Sequence, residues 1–134
     1  MTMDARATPW WRLTGNYSFV TVSMTQNPGS QDVSQERRYE SLVAHHQVQL
    51  GSSWDVRGGW AVDALFRYIS SIEAASIPGY STVNLRVARQ IGSQLELAVV
   101  GQDLLDDHHA EWPSGSGANV EVRRSIYVRA TWQR

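Results

Sequence analysis

The segment Ser125-Ile126-Tyr127-Val128-Arg129-Ala130-Thr131-Trp132-Gln133-Arg134 alternates apolar and polar side chains to its end. Ile126, Val128, Ala130 and Trp132 fall on one parity; Tyr127, Arg129, Thr131 and Gln133 fall on the other. A β-strand sends successive side chains to opposite faces, so this spacing predicts a strand with one apolar and one wet face. Five further stretches repeat the pattern, and nearly every tryptophan stands at the same end of one of them.

The first of these runs from about Trp11 to Ser23, with Leu13, Tyr17 and Phe19 set against Arg12, Thr14, Asn16 and Ser18. A long polar connection, roughly Met24 to Ser41, follows and reads as an exposed loop. It holds Pro28, Gly29, Asp32 and the charged run Glu36-Arg37-Arg38. The second stretch, about Val43 to Asp55, ends in the tight turn Val56-Arg57-Gly58-Gly59, whose glycines supply the positive φ of short hairpins. The third covers about Trp60 to Ser70 and is followed by a medium loop through Pro78-Gly79. The fourth, about Tyr80 to Arg89, turns at Gly92-Ser93 into the fifth, about Gln94 to Gln102. A loop rich in Asp, His, Gly and Ser, about Asp103 to Ala118, precedes the closing strand. The expected fold is all-β: an antiparallel up-and-down meander of about six strands, with long and short connections at opposite ends.

That order of connections fits a segment of a transmembrane β-barrel, which has short turns on one side and longer loops on the other. On this assignment Trp11, Trp54, Trp60 and Trp132 lie at the short-turn ends of their strands, where an indole favours the headgroup level. Tyr68 stands at the opposite end. Val48, Leu50, Val62, Phe66, Val83, Leu85, Leu97, Val99, Ile126 and Val128 are expected to share the outer face. The other parity, including Arg12, Asn16, Gln47, Gln49, Asp63, Arg67, Asn84, Arg86, Glu96 and Arg129, would face a lumen. A soluble sandwich or barrel produces the same alternation with its apolar faces turned inward, and periodicity alone does not separate the two.

Composition narrows the alternatives. The net charge of −1 gives no basic surface for nucleic acid. With no cysteine there is no disulfide framework and no thiolate metal site. No run approaches the ~20 apolar residues of a membrane-spanning helix, whereas a barrel strand needs only about 9–11 residues, half of them polar. Met1-Thr2-Met3-Asp4-Ala5-Arg6-Ala7 lacks the apolar core of a secretory signal. The expectation is a chain, residues 1–134, that forms the tail of a longer exported protein.

Several segments resemble the carboxyl-terminal barrel of TonB-dependent outer-membrane receptors. Pro9-Trp10-Trp11-Arg12-Leu13-Thr14-Gly15-Asn16-Tyr17-Ser18 is similar to that family's late strand P-W-W-R-L-x-G-x-Y-S. Gly58-Gly59-Trp60 with Phe66-Arg67-Tyr68-Ile69-Ser70 resembles its G-G-W…R-Y-V-S hairpin. Ile77-Pro78-Gly79-Tyr80-Ser81-Thr82-Val83-Asn84-Leu85-Arg86 is similar to V-P-A-Y-T-T-L-D-A-R. Leu95-Glu96-Leu97-Ala98-Val99-Val100-Gly101-Gln102-Asp103-Leu104-Leu105-Asp106 resembles L-E-L-S-L-V-G-Q-N-L-L-D, the most specific of the set. Arg124 to Trp132 resembles the closing R-S-V-Y-L-K-L-T-W. Together they cover most of the chain in order. The resemblance implies about the last quarter of a 22-stranded barrel, without the family's plug or energy-coupling box. It departs from the family at its end, Gln133-Arg134 standing where an aromatic residue is usual.

Chemistry-bearing clusters are sparse. His45-His46 and His108-His109, the latter near Asp106, Asp107 and Glu111, invite a metal, but adjacent strand residues point to opposite faces and no helical H-E-x-x-H spacing occurs. Asp103-Leu104-Leu105-Asp106 reads as a strand-end bend rather than a catalytic carboxylate pair. Ser114-Gly115-Ser116-Gly117 lacks the lysine and the strand-to-helix setting of a phosphate loop, and Arg37-Arg38 reads as solvated charge. Arg67, Arg86 and Arg129 are expected to pair with Asp63 and Glu96 across strands. No catalytic, cofactor-binding or metal residue is assigned, and no enzyme activity is expected.

The resemblance implies transport: a receptor for a bulky nutrient, such as a ferric siderophore or cobalamin, in the outer membrane of a Gram-negative cell. Its partners would be outer-membrane lipid, the rest of the barrel and plug, and the inner-membrane energy-coupling complex. Loop residues such as His108, His109, Glu111 and Trp112 could add ligand contacts but not enclose a ligand, and the segment alone would be inactive. The alternative is a soluble β-rich binding module, with exposed Trp and Tyr faces suited to carbohydrate.

Overall fold

The computed structural model describes residues 1–23, 25, 29, 42–112 and 120–133. Among the described residues nine strands follow in order: β1 (Thr2–Thr8), β2 (Trp11–Phe19), β3 (His46–Val56), β4 (Trp60–Ile69), β5 (Tyr80–Ile91), β6 (Leu95–Gln102), β7 (His108–Trp112), β8 (Val120–Arg123) and β9 (Ser125–Trp132). A single 3-10 turn, Glu73–Ala75, interrupts the β4–β5 connection. Seven strands form one antiparallel sheet in the order β1-β2-β3-β4-β5-β6-β9, and β7 and β8 form a separate hairpin. The expected meander is present, and it is open: β1 and β9 are its two edges.

Two features differ from the six-strand expectation. Thr2–Thr8 is a strand, paired with β2 through Met3↔Gly15 and Ala5↔Leu13. Thr2, Asp4 and Arg6 alternate there with Met3, Ala5 and Ala7, and Pro9-Trp10 makes the turn. The stretch expected as a loop from Asp103 to Ala118 also carries β7, whose pairing with β8 through His109↔Val122 satisfies its backbone. Boundaries shift as well. The first expected strand stops at Phe19, the second starts at His46, and the fourth runs on to Ile91. The expected loop run Glu36-Arg37-Arg38, with Pro28 and Asp32, lies outside the described residues, as does Ser114-Gly115-Ser116-Gly117.

Connections segregate as the sequence implies. Short turns join β1–β2, β3–β4 and β5–β6 at one end, where β9 also finishes; the longer connections all lie at the other. The β3–β4 turn depends on glycine. Gly58 and Gly59 have φ of 82° and 77°, a region that side chains with a Cβ rarely enter. A Cβ on Gly59 would also stand 3.1 Å from the Gln90 carbonyl oxygen. Gly59→Ala is expected to destabilise the sheet by about 1 kcal/mol or more, read as a lower denaturation midpoint of the detergent-folded chain. Gly29→Ala, also at positive φ but with nothing within 4 Å of its Cβ, supplies the comparison without the contact.

Register decides which residues share a face. Directly paired residues point the same way in an antiparallel ladder. Leu50↔Phe66, Phe66↔Val83, Val87↔Val99 and Val99↔Val128 therefore line one face, joined by Val48, Val62, Leu85, Leu97 and Ile126. All ten residues expected together are together. Arg12, Asn16, Gln47, Gln49, Asp63, Arg67, Asn84, Arg86, Glu96 and Arg129 line the other.

Candidate functional site

On β5 and β6 burial is inverted between the two faces. On the apolar face Val128 is 72% exposed, Ile126 70%, Val99 51% and Leu50 50%. The buried side chains of these two strands instead sit on the polar face: Thr82 at 1%, Ala88 and Ala98 at 2%, and Val100 at 9%. A protein folded around a water-excluding core does the reverse. Here apolar area is left facing outward over several adjacent strands, far more than scattered single residues would give.

Aromatic rings bracket that outward face. At the short-turn end Trp11 pairs directly with Trp54, Trp60 begins β4, and Trp132 pairs with Leu95 beside the β5–β6 turn. Trp10 stacks on Trp11 at 6.4 Å, and the Trp11 indole N–H donates to Ser52 Oγ at 2.8 Å. At the other end Tyr17 and Tyr68 flank Val48. Phe19 packs on His46 at 5.2 Å, and the Tyr17 hydroxyl bonds His46 Nδ1 at 2.9 Å. Trp60 and Tyr68 lie eight residues apart on β4, about 26 Å along the strand at ~3.3 Å per residue. At the 35–45° tilt of outer-membrane strands this projects to about 19–22 Å, close to the ~25 Å apolar band between their aromatic girdles.

The polar face is knit by charge. Arg86 on β5 donates to Asp63 on β4 at 2.8 Å and to Glu96 on β6 at 2.6 Å. Glu96, Ala98 and Val100 share this face, and Val100 is the residue paired with Arg86. The Arg86 side chain therefore spans the alanine row to reach Glu96, and Ala88 and Ala98 are small enough to lie beneath it. Arg129 comes only to 3.9 Å of Glu96. Arg12 pairs with Asp4 on β1. The expected partner for Arg67 is corrected by the β7–β8 hairpin: it binds Glu111, not Asp63 or Glu96.

That hairpin lies over the polar face at the long-loop end. A single carboxylate oxygen, Glu111 Oε1, accepts from Arg67 at 2.7 Å and from the Tyr80 hydroxyl at 3.0 Å, and lies 3.1 Å from His109 Nε2. The His109 imidazole stacks on Tyr80 with centroids 4.2 Å apart. His109 is 7% exposed. Asp103, at a positive φ of 53°, anchors the hairpin's approach: its N–H donates to Asn84 Oδ1 at 2.9 Å, and the next N–H, of Leu104, donates to the Val83 carbonyl. The Asp103-Leu104-Leu105-Asp106 stretch is thus the bend the sequence implies. Its role in docking the hairpin is not visible in the sequence, because the partners are 19 or more residues distant.

Burial alone would push the Glu111 carboxyl up, but the His109 and Tyr80 hydrogen bonds and the Arg67 charge together hold it below its ordinary value of 4.5. A carboxylate with a lowered folded-state pKa stabilises the docked hairpin fully above pH 4.5. That contribution fades as the pH falls through the lowered value. Glu111→Gln removes the charge at every pH. Trypsin cleavage at Arg123 and Arg124 is expected to quicken by about tenfold or more at pH 7.5, in keeping with loss of a charged hydrogen bond. An unchanged cleavage rate would mean that Glu111 does not hold the hairpin.

The other sequence candidates stay apart. His45 Nδ1 bonds the Val20 carbonyl and His46 Nδ1 the Tyr17 hydroxyl. Among the described residues no three His, Asp or Glu side chains gather in a way that could hold a metal ion. No family model, curated protein or solved structure matches the chain.

Proposed function

We propose that this chain is the carboxyl-terminal barrel segment of a TonB-dependent outer-membrane receptor, whose whole form imports a bulky nutrient such as a ferric siderophore or cobalamin. The observation that carries the reading is the inversion of burial on β5 and β6. An apolar, aromatic-bracketed face turned outward suits lipid, and a charge-paired face suits a wet lumen. The ordered match of five sequence segments supports the particular family. In this reading the rest of the barrel pairs with β1 and β9, the plug fills the polar side, and the energy-coupling complex acts through the plug. The segment alone has no enzymatic activity and cannot transport, because open edges in lipid leave backbone groups unsatisfied.

A soluble binding module would need a second layer over the apolar face. Among the described residues, the element that packs over the sheet is the β7–β8 hairpin, and it lies on the polar side. Two measurements test the proposal together. A full-length parent restored to a receptor-deficient strain should support uptake that a protonophore abolishes. Calorimetric titration of this chain alone with ferric siderophores, cobalamin and short oligosaccharides should show no tight saturable binding. Tight binding to the isolated chain would replace the receptor reading with a local site.

A further inference from the structure

We propose that Arg89, together with Trp60, binds the phosphodiester of an anionic glycerophospholipid at the short-turn end of the apolar face. This rests on the reading that this face meets lipid. The register makes Arg89 exceptional. It pairs with Trp60 on one side and Leu97 on the other, so it shares the face of Val62, Val87 and Val99. Among the described strand residues on that face it is the one side chain with a permanent charge. The acidic residues nearest this end, Asp55, Asp63 and Glu96, all point to the opposite face. No carboxylate among the described residues pairs with Arg89.

A guanidinium turned toward lipid is costly unless an anion meets it. Its position supplies one. Arg89 lies two residues from Ile91, the end of β5, at the level of the tryptophans, where headgroups begin. Its guanidinium carbon lies 5.2 Å from the Trp60 ring centroid, so the ring holds one flat side of the group by cation–π attraction. No hydrogen bond among the described residues engages its edge N–H donors, and their fork matches two phosphate oxygens. Trp60 is itself 42% exposed and offers its indole to the same headgroup layer. Phosphatidylglycerol fits because its phosphate is not capped by an ammonium.

The test uses the full chain folded in dodecylmaltoside, with acyl-dibrominated phosphatidylglycerol or phosphatidylcholine added at equal mole fraction. Bromine on the acyl chain quenches tryptophans that touch lipid. The unmodified chain is expected to favour phosphatidylglycerol about fivefold, the gain expected for one basic side chain near an anionic surface. Arg89→Gln should level the two lipids, and Arg89→Lys should keep only part of the preference. Arg57→Gln, in the β3–β4 turn at the same end, should leave it intact. Equal quenching by both lipids in the unmodified chain, or an undiminished preference in Arg89→Gln, overturns the Arg89 assignment while the lipid-facing reading stands. Quenching by neither lipid removes that reading, and this proposal with it.

Discussion

In plain buffer the chain is expected to elute in the void volume of a gel-filtration column, and in mild detergent as one discrete protein–detergent species. Two independent features drive this. The sheet leaves Leu50, Val99, Ile126 and Val128 at least half exposed on one face, an apolar patch that water does not favour. It also leaves β1 and β9 as edges, whose unpaired N–H and C=O groups template further strands. Charges such as Asp4 and Arg6 on β1 do little against this, because Arg12 neutralises Asp4 within the sheet. The effect should be all-or-none at micromolar concentration. A monodisperse monomer in buffer, with a cooperative melt, would favour the soluble module and remove the main support for a membrane location.

The second large effect compares neighbouring residues. Leu50 and Gln49 are adjacent and both exposed, but they point to opposite faces. A single charge placed on each therefore reads out what each face meets. Leu50→Arg sits near the middle of the aromatic-bracketed band, where a basic residue facing lipid costs about 2–4 kcal/mol. Co-flotation with phosphatidylcholine liposomes should fall at least about thirtyfold in partition, in line with that cost. Gln49→Glu lies beside Arg67 on the polar face and should float as the unmodified chain does. For a soluble protein the order differs: an exposed Leu→Arg change usually alters stability by less than about 0.5 kcal/mol, and neither variant would float. Equal behaviour of the two variants would therefore defeat the assignment of the apolar face to lipid.

What the sequence disclosed and what it hid follow from the range of the interactions. Alternation is local, so β2 to β6 and β9 could be read from parity. Tight turns are local too, and Gly58-Gly59 and Gly92 marked two of them. The same parity runs through Thr2 to Thr8, with Pro9-Trp10 as the turn, but Ala5 and Ala7 give it little apolar contrast. The β7–β8 hairpin had no comparable signal. It is short, its strands are separated by a long connection, and its docking depends on Glu111 meeting Arg67 and Tyr80 from 44 and 31 residues away. Local pattern carries no information about such contacts. The lone charge at Arg89 was legible in the sequence, but its meaning required the register that places it beside Trp60.

Arg86 has a bearing on how the sheet comes to be assembled correctly. Flat ladders of valine and alanine can slide, since one such row resembles the next. A slip of β5 by one residue would turn Arg86 onto the face of Val62, Phe66, Leu97 and Val99 on the neighbouring strands. A slip of two would keep it on its face but carry it out of line with Asp63, while Glu96 lost its closest donor. The three strands β4, β5 and β6 are thus checked against each other by one guanidinium that touches both neighbours. It acts as an alignment mark: only one pairing of these strands lets both carboxylates close on it at once, so misaligned assemblies carry an unmatched charge and can be rejected before the sheet extends.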